Sequence, residues 1–148
     1  MAELITQRAN QLSALSVFAD CFGADLYPLA AVLSPRHAKP GETLMSQGDR
    51  ADFFLIIERG SARVLHTDTD GVAVTIDVPA GQIIGEIALL RRSRRTATVI
   101  ATQKVHGWVG DDDAFDLLIE LPGVLRSLLS TARQRLATST ERYCVVGQ

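Results

Sequence analysis

The chain has 148 residues, 47% hydrophobic and 22% charged, a balance that excludes a disordered segment and belongs to globular domains. A single domain of this size buries roughly 68–70% of its unfolded surface, so a real core is available. Lysines and arginines number 15 against 17 aspartates and glutamates, for a net charge of −2, which excludes a global basic field of the kind that holds nucleic acid.

The first residues, Met-Ala-Glu-Leu-Ile-Thr-Gln-Arg, lack the basic region and apolar run of a secretory signal. The most apolar stretch, Leu12 to Leu33, is broken by Asp20, Asp25 and Pro28, too often for a membrane span, so a cytoplasmic protein with no membrane partner is expected. Within residues 1–34, Leu4, Ile5, Leu12, Leu15, Leu26, Leu29, Ala30 and Leu33 recur at helical spacing, with Gly23 and Pro28 as punctuation. Two or three short helices are predicted. Cys21 and Cys144 share no CxxC spacing, so neither zinc nor redox chemistry is suggested, and Cys21 reads as a buried small hydrophobe.

The period changes after Pro35. Residues 35–110 read as short strands between turn signals at Lys39-Pro40-Gly41, Gln47-Gly48-Asp49, Arg59-Gly60, Asp68-Thr69-Asp70-Gly71 and Pro79-Ala80-Gly81. Alternation is clearest in Val72, Val74, Ile76 and Val78, and recurs in Phe53, Leu55 and Ile57, in Ala62, Val64 and His66, and in Ala97, Val99 and Ala101. Turn signals this closely spaced point to antiparallel strands in a roll, sandwich or barrel. Trp108 lies in an alternating run and reads as core packing rather than a platform for a base. His37, His66 and His106 show no ligand spacing and read as ordinary strand or loop histidines, so no metal ligand and no catalytic residue is predicted.

One stretch, residues 85–99, interrupts the strands with Gly-Glu-Ile-Ala-Leu-Leu-Arg-Arg-Ser-Arg-Arg-Thr-Ala-Thr-Val. Gly85 permits close backbone approach, and the first amides of a short helix are orphan donors suited to an anion. Arg95, nine positions after Glu86, can grip a phosphate with two parallel charge-assisted bonds, while Glu86 can accept from a sugar hydroxyl. Taken alone, the run Arg91-Arg92-Ser93-Arg94-Arg95 is also what a solvated loop looks like.

After Gly110 the helical period returns over residues 111–142. Asp111, Asp112 and Asp113 offer a cap and a favourable charge, and Phe115, Leu118 and Ile119 form an apolar stripe. Leu121-Pro122-Gly123 breaks the helix, and a second one is expected to face inward with Leu125, Leu128, Leu129, Ala132 and Leu136. The chain as a whole is predicted to be one α+β domain over residues 1–148, with N-terminal helices, antiparallel strands in a roll, sandwich or barrel, and a C-terminal hinged helix pair.

Gly85-Glu86-Ile87-Ala88-Leu89-Leu90, four residues, then Arg95-Thr96-Ala97-Thr98-Val99 resembles the phosphate-binding cassette of the cyclic-nucleotide-binding domain family. The order of N-terminal helices, strands with Pro40-Gly41-Glu42 and Gln47-Gly48-Asp49 turns, cassette and broken helix pair is similar too, and the resemblance implies an antiparallel, jelly-roll-like β-roll. More closely, residues 1–137 resemble the regulatory domain of bacterial cyclic-AMP-controlled protein lysine acetyltransferases, on Ile84 to Leu90, Arg95 to Val99, Gly107-Trp108, Ala114-Phe115, Leu121-Pro122-Gly123 and Thr131 to Ala137. The resemblance implies that Arg95 pairs with the cyclic phosphate, that Glu86 binds the ribose 2′-hydroxyl, and that the backbone of Ile87 and Ala88 faces the phosphate oxygens, with Gly85 a ligand-binding position through its close backbone approach. It further implies that Thr96 offers a hydroxyl to phosphate or purine and that Ala97 leaves room beside the phosphate. The pattern departs from the family at Ile84, where many members carry an aromatic residue, and at Arg94, where many carry proline.

The function implied by the resemblance is that of a sensor without catalytic activity, with no cofactor and with cyclic AMP favoured over cyclic GMP as ligand. Ligand phosphate would draw in the cassette helix, the next helix would swing at Leu121-Pro122-Gly123, and Arg133, Arg135 or Leu136 would cap the base. The partners expected are the cyclic nucleotide and an unidentified effector protein or domain. A cupin-type enzyme would need a His/Glu metal cluster, and a transcription factor of the catabolite-activator type would need a helix-turn-helix after the sensor, so neither reading, nor nucleic-acid binding, is expected. The remaining alternatives are the isolated regulatory half of an acetyltransferase and a degenerate scaffold that binds no nucleotide.

Overall fold

The computed structural model describes residues 2–67, 70–85, 88–89 and 92–131. Helix α1 (Ala2–Ser13) leads through two 3-10 turns, Ser16–Phe18 and Gly23–Leu26, into α2 (Tyr27–Val32). Strands β1 (Ser34–Ala38), β2 (Thr43–Met45), β3 (Phe53–Arg59), β4 (Ala62–Thr67), β5 (Ala73–Val78), β6 (Ile83–Ile84), β7 (Thr98–Ala101) and β8 (Val105–Asp111) come next, and α3 (Asp112–Ile119) comes after them. Among the described residues the strands form two four-stranded antiparallel sheets, β1-β8-β3-β6 and β2-β7-β4-β5, as the roll predicts. Pro35 lies inside β1 rather than before it, opposite Trp108. β1 is the edge of its sheet, where a residue without an N–H is tolerated.

The sheets enclose one apolar cluster and the helices cover a second. β3 belongs to both, and here the alternation expected of Phe53, Leu55 and Ile57 is replaced by a continuous buried run, Phe54-Leu55-Ile56-Ile57. Phe54 and Ile56 pack with Leu12, Phe18, Leu29, Phe115 and Leu118 on the helical side. Leu55 and Ile57 pack with Met45, Ala62, Val78 and Val99 inside the roll. A strand covered on both faces has no solvated side to make polar, so its period-2 signal vanishes.

Asp111 caps α3, its Oδ1 accepting from the Ala114 amide at 2.9 Å, and Ala114, Phe115 and Leu118 are buried. After the turn at Leu121-Pro122-Gly123 the backbone is helical over residues 124–131. Its inward ridge is Val124 and Leu128, while Leu125 and Leu129 are 40% and 50% exposed, contrary to the stripe read from the sequence. The turn sets that phase: Gly123, at φ +76°, lies so close to the Asp20 carboxylate that a Cβ there would clash with it. Ala132 and the rest of residues 132–142 lie outside the described residues.

Cys21 is half-buried rather than buried, and its Sγ donates to the Pro122 carbonyl at 3.4 Å, tying the same turn to the N-terminal segment. Burial pushes its thiol above the ordinary value, and the nearby Asp25 and Asp20 carboxylates push in the same direction. The thiolate is the reactive form, so iodoacetamide at pH 8 is expected to alkylate Cys21 several-fold more slowly in the folded protein than in urea, by roughly the lost thiolate fraction. Equal rates, followed by mass spectrometry of the Cys21 peptide, would remove this docking.

No helix among the described residues is long and apolar enough to cross a membrane, and none of their His, Cys, Asp and Glu side chains form a group of three able to hold a metal ion.

Candidate functional site

Gly85 leaves β6 at φ +90°, in the left-handed region that glycine enters without steric cost. A Cβ there would lie 2.7 Å from Arg95 Nη1 and 2.8 Å from Met45 Cε, so the absence of a side chain is what lets the guanidinium reach this backbone. Ala88 and Leu89 are helical and buried. The Arg92 amide then donates to the Leu89 carbonyl at 3.2 Å and the Ser93 amide to the Ala88 carbonyl at 2.9 Å, closing the turn that sends the chain back. Glu86 and Ile87 lie outside the described residues, and so do Arg133, Arg135 and Leu136.

Arg95 separates itself from its neighbours. Arg92 and Arg94 are exposed, as a solvated charge run should be, whereas Arg95 is only 5% exposed. Its Nη1 donates to the Gly85 carbonyl at 3.0 Å, its Nη2 donates to the Phe53 carbonyl, and its guanidinium carbon stands 4.7 Å from the centroid of the Phe53 ring. The backbone beneath it is clamped to the loop after β2: the Arg95 amide donates to the Asp49 carbonyl and the Gly48 amide to the Arg95 carbonyl, both at 2.8 Å. The guanidinium is thus held in place on carbonyl dipoles, and an anion arriving beside it would compete with those two carbonyls for its N–H groups.

Beyond Arg95 the chain is extended. Thr96 is exposed and Ala97 half-buried before β7 begins at Thr98. The Thr96 carbonyl accepts from His66 Nδ1 at 2.6 Å, a contact missed by a sequence reading that groups the three histidines as ordinary. A signal for it exists in the pattern: His66 comes after Ala62 and Val64 on the same face of β4, and an imidazole on an apolar face needs a partner. Trp108 is core, as expected, only 6% exposed, with its Nε1 donating to Glu58 Oε2 at 2.9 Å.

An open cavity of about 510 Å³ adjoins Arg95 on the side of the loop after β2, where Asp49, Asp52 and Phe53 contribute to its wall. None of Gly85, Ala88, Thr96 and Ala97 lines it. Its wall carries Arg50 and Arg95 beside those two carboxylates, so its charges are balanced rather than negative.

Leu89 shares its apolar cluster with Phe115 and Leu118, which joins the cassette to α3. The turn after α3 is in turn joined to Asp20 and Cys21. Arg95, Gly85 and the last helical segment are therefore connected through packed side chains and not only through the chain.

Residues 35–121 match the family model of the cyclic nucleotide-binding domain. The chain is 51% identical, over 93% of its length, to the acetyltransferase Pat of Mycolicibacterium smegmatis, of which it spans 41%. A solved structure of a cAMP-binding acyltransferase from Mycobacterium smegmatis superposes with a TM-score of 0.78 at 50% identity, covering 93% of this chain and 43% of that one. The regulatory subunit of a cAMP-dependent protein kinase from Yarrowia lipolytica is 37% identical over 56% of this chain and 21% of its own. The chain thus spans less than half the length of each of these relatives.

Proposed function

The chain belongs to the cyclic nucleotide-binding domain family, and from that premise we propose that it is a regulatory sensor, not an enzyme, that binds a cyclic nucleotide and passes the event to its C-terminal helices. The observation that carries the reading is Arg95, buried beside exposed arginines with its Nη1 on the Gly85 carbonyl. Arg95 receives the cyclic phosphate, joined by the amides of Ile87 and Ala88; Glu86 takes the ribose 2′-hydroxyl; Thr96 offers its hydroxyl to phosphate or purine, and Ala97 leaves room beside the phosphate. Cyclic AMP is the favoured ligand, supported by the cAMP-dependent kinase subunit and the cAMP-binding acyltransferase among the relatives, with cyclic GMP second.

Phosphate binding competes for the guanidinium with the carbonyls of Gly85 and Phe53. Displacing them moves the cassette backbone and with it Leu89, and α3 responds through Phe115 and Leu118. The turn at Leu121-Pro122-Gly123 then swings, and Arg133, Arg135 or Leu136 reaches the base. Ligand shifts this equilibrium only by its differential affinity for the two states, so the contacts Arg95 exchanges are the source of the switching energy. The reader of the switch is an effector protein or domain, and the Pat likeness supports a lysine acetyltransferase domain in that role. The compartment we assign is the cytoplasm, where such a nucleotide signal is made and read.

Calorimetric titration with cyclic AMP, cyclic GMP and linear 5′-AMP tests the proposal. Saturable heat with at least one cyclic ligand, cyclic AMP being the tighter, and none with 5′-AMP is the expected result. A folded, ligand-free sample that gives no heat with any of the three would make the domain a scaffold.

A further inference from the structure

His66 stands where β4 and β7, neighbours in one sheet, stop pairing. β4 and β7 are in register at Ala62 with Ala101, Arg63 with Ile100, Val64 with Val99 and Leu65 with Thr98, and the ladder ends there. His66 is the next residue of β4, on the inner face with Ala62 and Val64, and its Nδ1 meets the Thr96 carbonyl at 2.6 Å. The segment from Arg94 to Thr98 is held very differently on its two sides. The loop after β2 grips it through the Arg94 Nη1 bond to the Gly48 carbonyl, the paired backbone bonds of Arg95 with Gly48 and Asp49, and the Gln47 amide on Thr98 Oγ1. Toward β4, past the last ladder pair, it is His66 that ties the segment down.

From this we infer that His66 is a positioning residue for the nucleotide: by holding the Thr96 carbonyl it fixes where the Thr96 hydroxyl meets the purine of the ligand, and so sets both affinity and purine preference. The inference rests on the sensor function proposed above. A carbonyl only accepts, so Nδ1 carries the proton, and in the neutral ring Nε2 is an acceptor. Rotation of Thr96 away from this tie leaves Arg95 in place, because its backbone is bonded to the opposite loop. The phosphate grip and the purine contact are therefore adjusted by different residues.

Three variants test it: His66→Leu, His66→Asn and His66→Gln. An asparagine amide nitrogen occupies the position of Nδ1, whereas a glutamine amide reaches the position of Nε2, so only asparagine can restore the bond. His66→Leu is expected to weaken cyclic AMP binding about fivefold, one hydrogen bond's worth, and to change the ratio of cyclic AMP to cyclic GMP affinity. His66→Asn is expected to return both to within about twofold of wild type, and His66→Gln to behave as His66→Leu. Carbonyl ¹³C shifts of Thr96 in the ligand-free protein are expected to move in the Leu and Gln variants and not in the Asn variant. Wild-type binding with all three variants unaltered in affinity and ratio overturns the role of His66, as does loss in the Asn variant equal to that in the Leu variant. Absence of binding by wild type itself overturns the sensor reading, and the inference with it, which separates the two failures.

Discussion

Replacing Arg95 by alanine is expected to reduce cyclic AMP affinity at least about 100-fold, since two charge-assisted hydrogen bonds of about 1.5–3 kcal/mol each disappear together. The same change should also lower stability. In the ligand-free molecule the guanidinium serves the carbonyls of Gly85 and Phe53 and rests on the Phe53 ring. Leaving buried carbonyls without a donor costs about 1–3 kcal/mol, only partly offset by removal of a buried charge. Arg95→Lys keeps the charge but offers a point where a fork is needed, so it should recover part of the stability and still bind about tenfold more weakly. Calorimetry at a temperature well below the melting transition of every variant, with urea unfolding alongside, separates the two effects. Wild-type affinity in a folded Arg95→Ala protein would transfer the phosphate to another residue.

Gly85→Ala carries the second large effect, and it comes from backbone and contact together. At φ +90° an L side chain costs about 1–2 kcal/mol, and the new Cβ meets Arg95 Nη1 at 2.7 Å and Met45 Cε at 2.8 Å. Met45 is flexible and can withdraw, but the arginine is held by its other contacts, so the collision moves the group the ligand needs. Binding is expected to fall about tenfold, by the usual scale of one lost charge-assisted bond. In the double variant Gly85→Ala/Arg95→Ala one of the two collisions is gone, so the stability losses should fall short of additivity by about 1 kcal/mol. Strict additivity in urea midpoints and slopes would place Arg95 away from Gly85.

Much of the fold and the site is readable in the residues, and the rest is hidden for identifiable reasons. Of the cassette read from the sequence, Gly85 and Arg95 are brought into contact, while Glu86 lies outside the described residues. The antiparallel roll is legible in the one-sided strands, Val74 and Val78 in β5 and Ala62 in β4, where burial on one face leaves an alternating trace. β3 leaves no such trace because helices cover one face and the roll fills the other. The phase of the last helix is misread for a different reason: Leu125 and Leu129 have the composition of an inward ridge, but the contact of Gly123 with Asp20, a residue distant in sequence, turns Val124 and Leu128 inward instead. For His66 the pattern signals only that an imidazole on the Ala62 and Val64 face needs a partner; which partner is hidden, because a main-chain carbonyl carries no side-chain identity. The burial of Arg95 among exposed arginines comes from the clamp at Gly48 and Asp49, again a long-range backbone contact.

The docking of the hinge turn on the N-terminal segment has a consequence for how the domain is born. Cys21 and Pro122 are 101 positions apart in the chain. A ribosome adding roughly 5–20 residues per second delivers the second partner some 5–20 s after the first, long after isolated helices could have formed and frayed many times. The N-terminal helices therefore wait, incompletely covered, for the end of the domain to arrive. If the contact forms after the folding transition state, weakening it speeds unfolding much more than it slows folding. The joint that the proposed switch moves is then one that can be loosened without endangering the assembly of the roll.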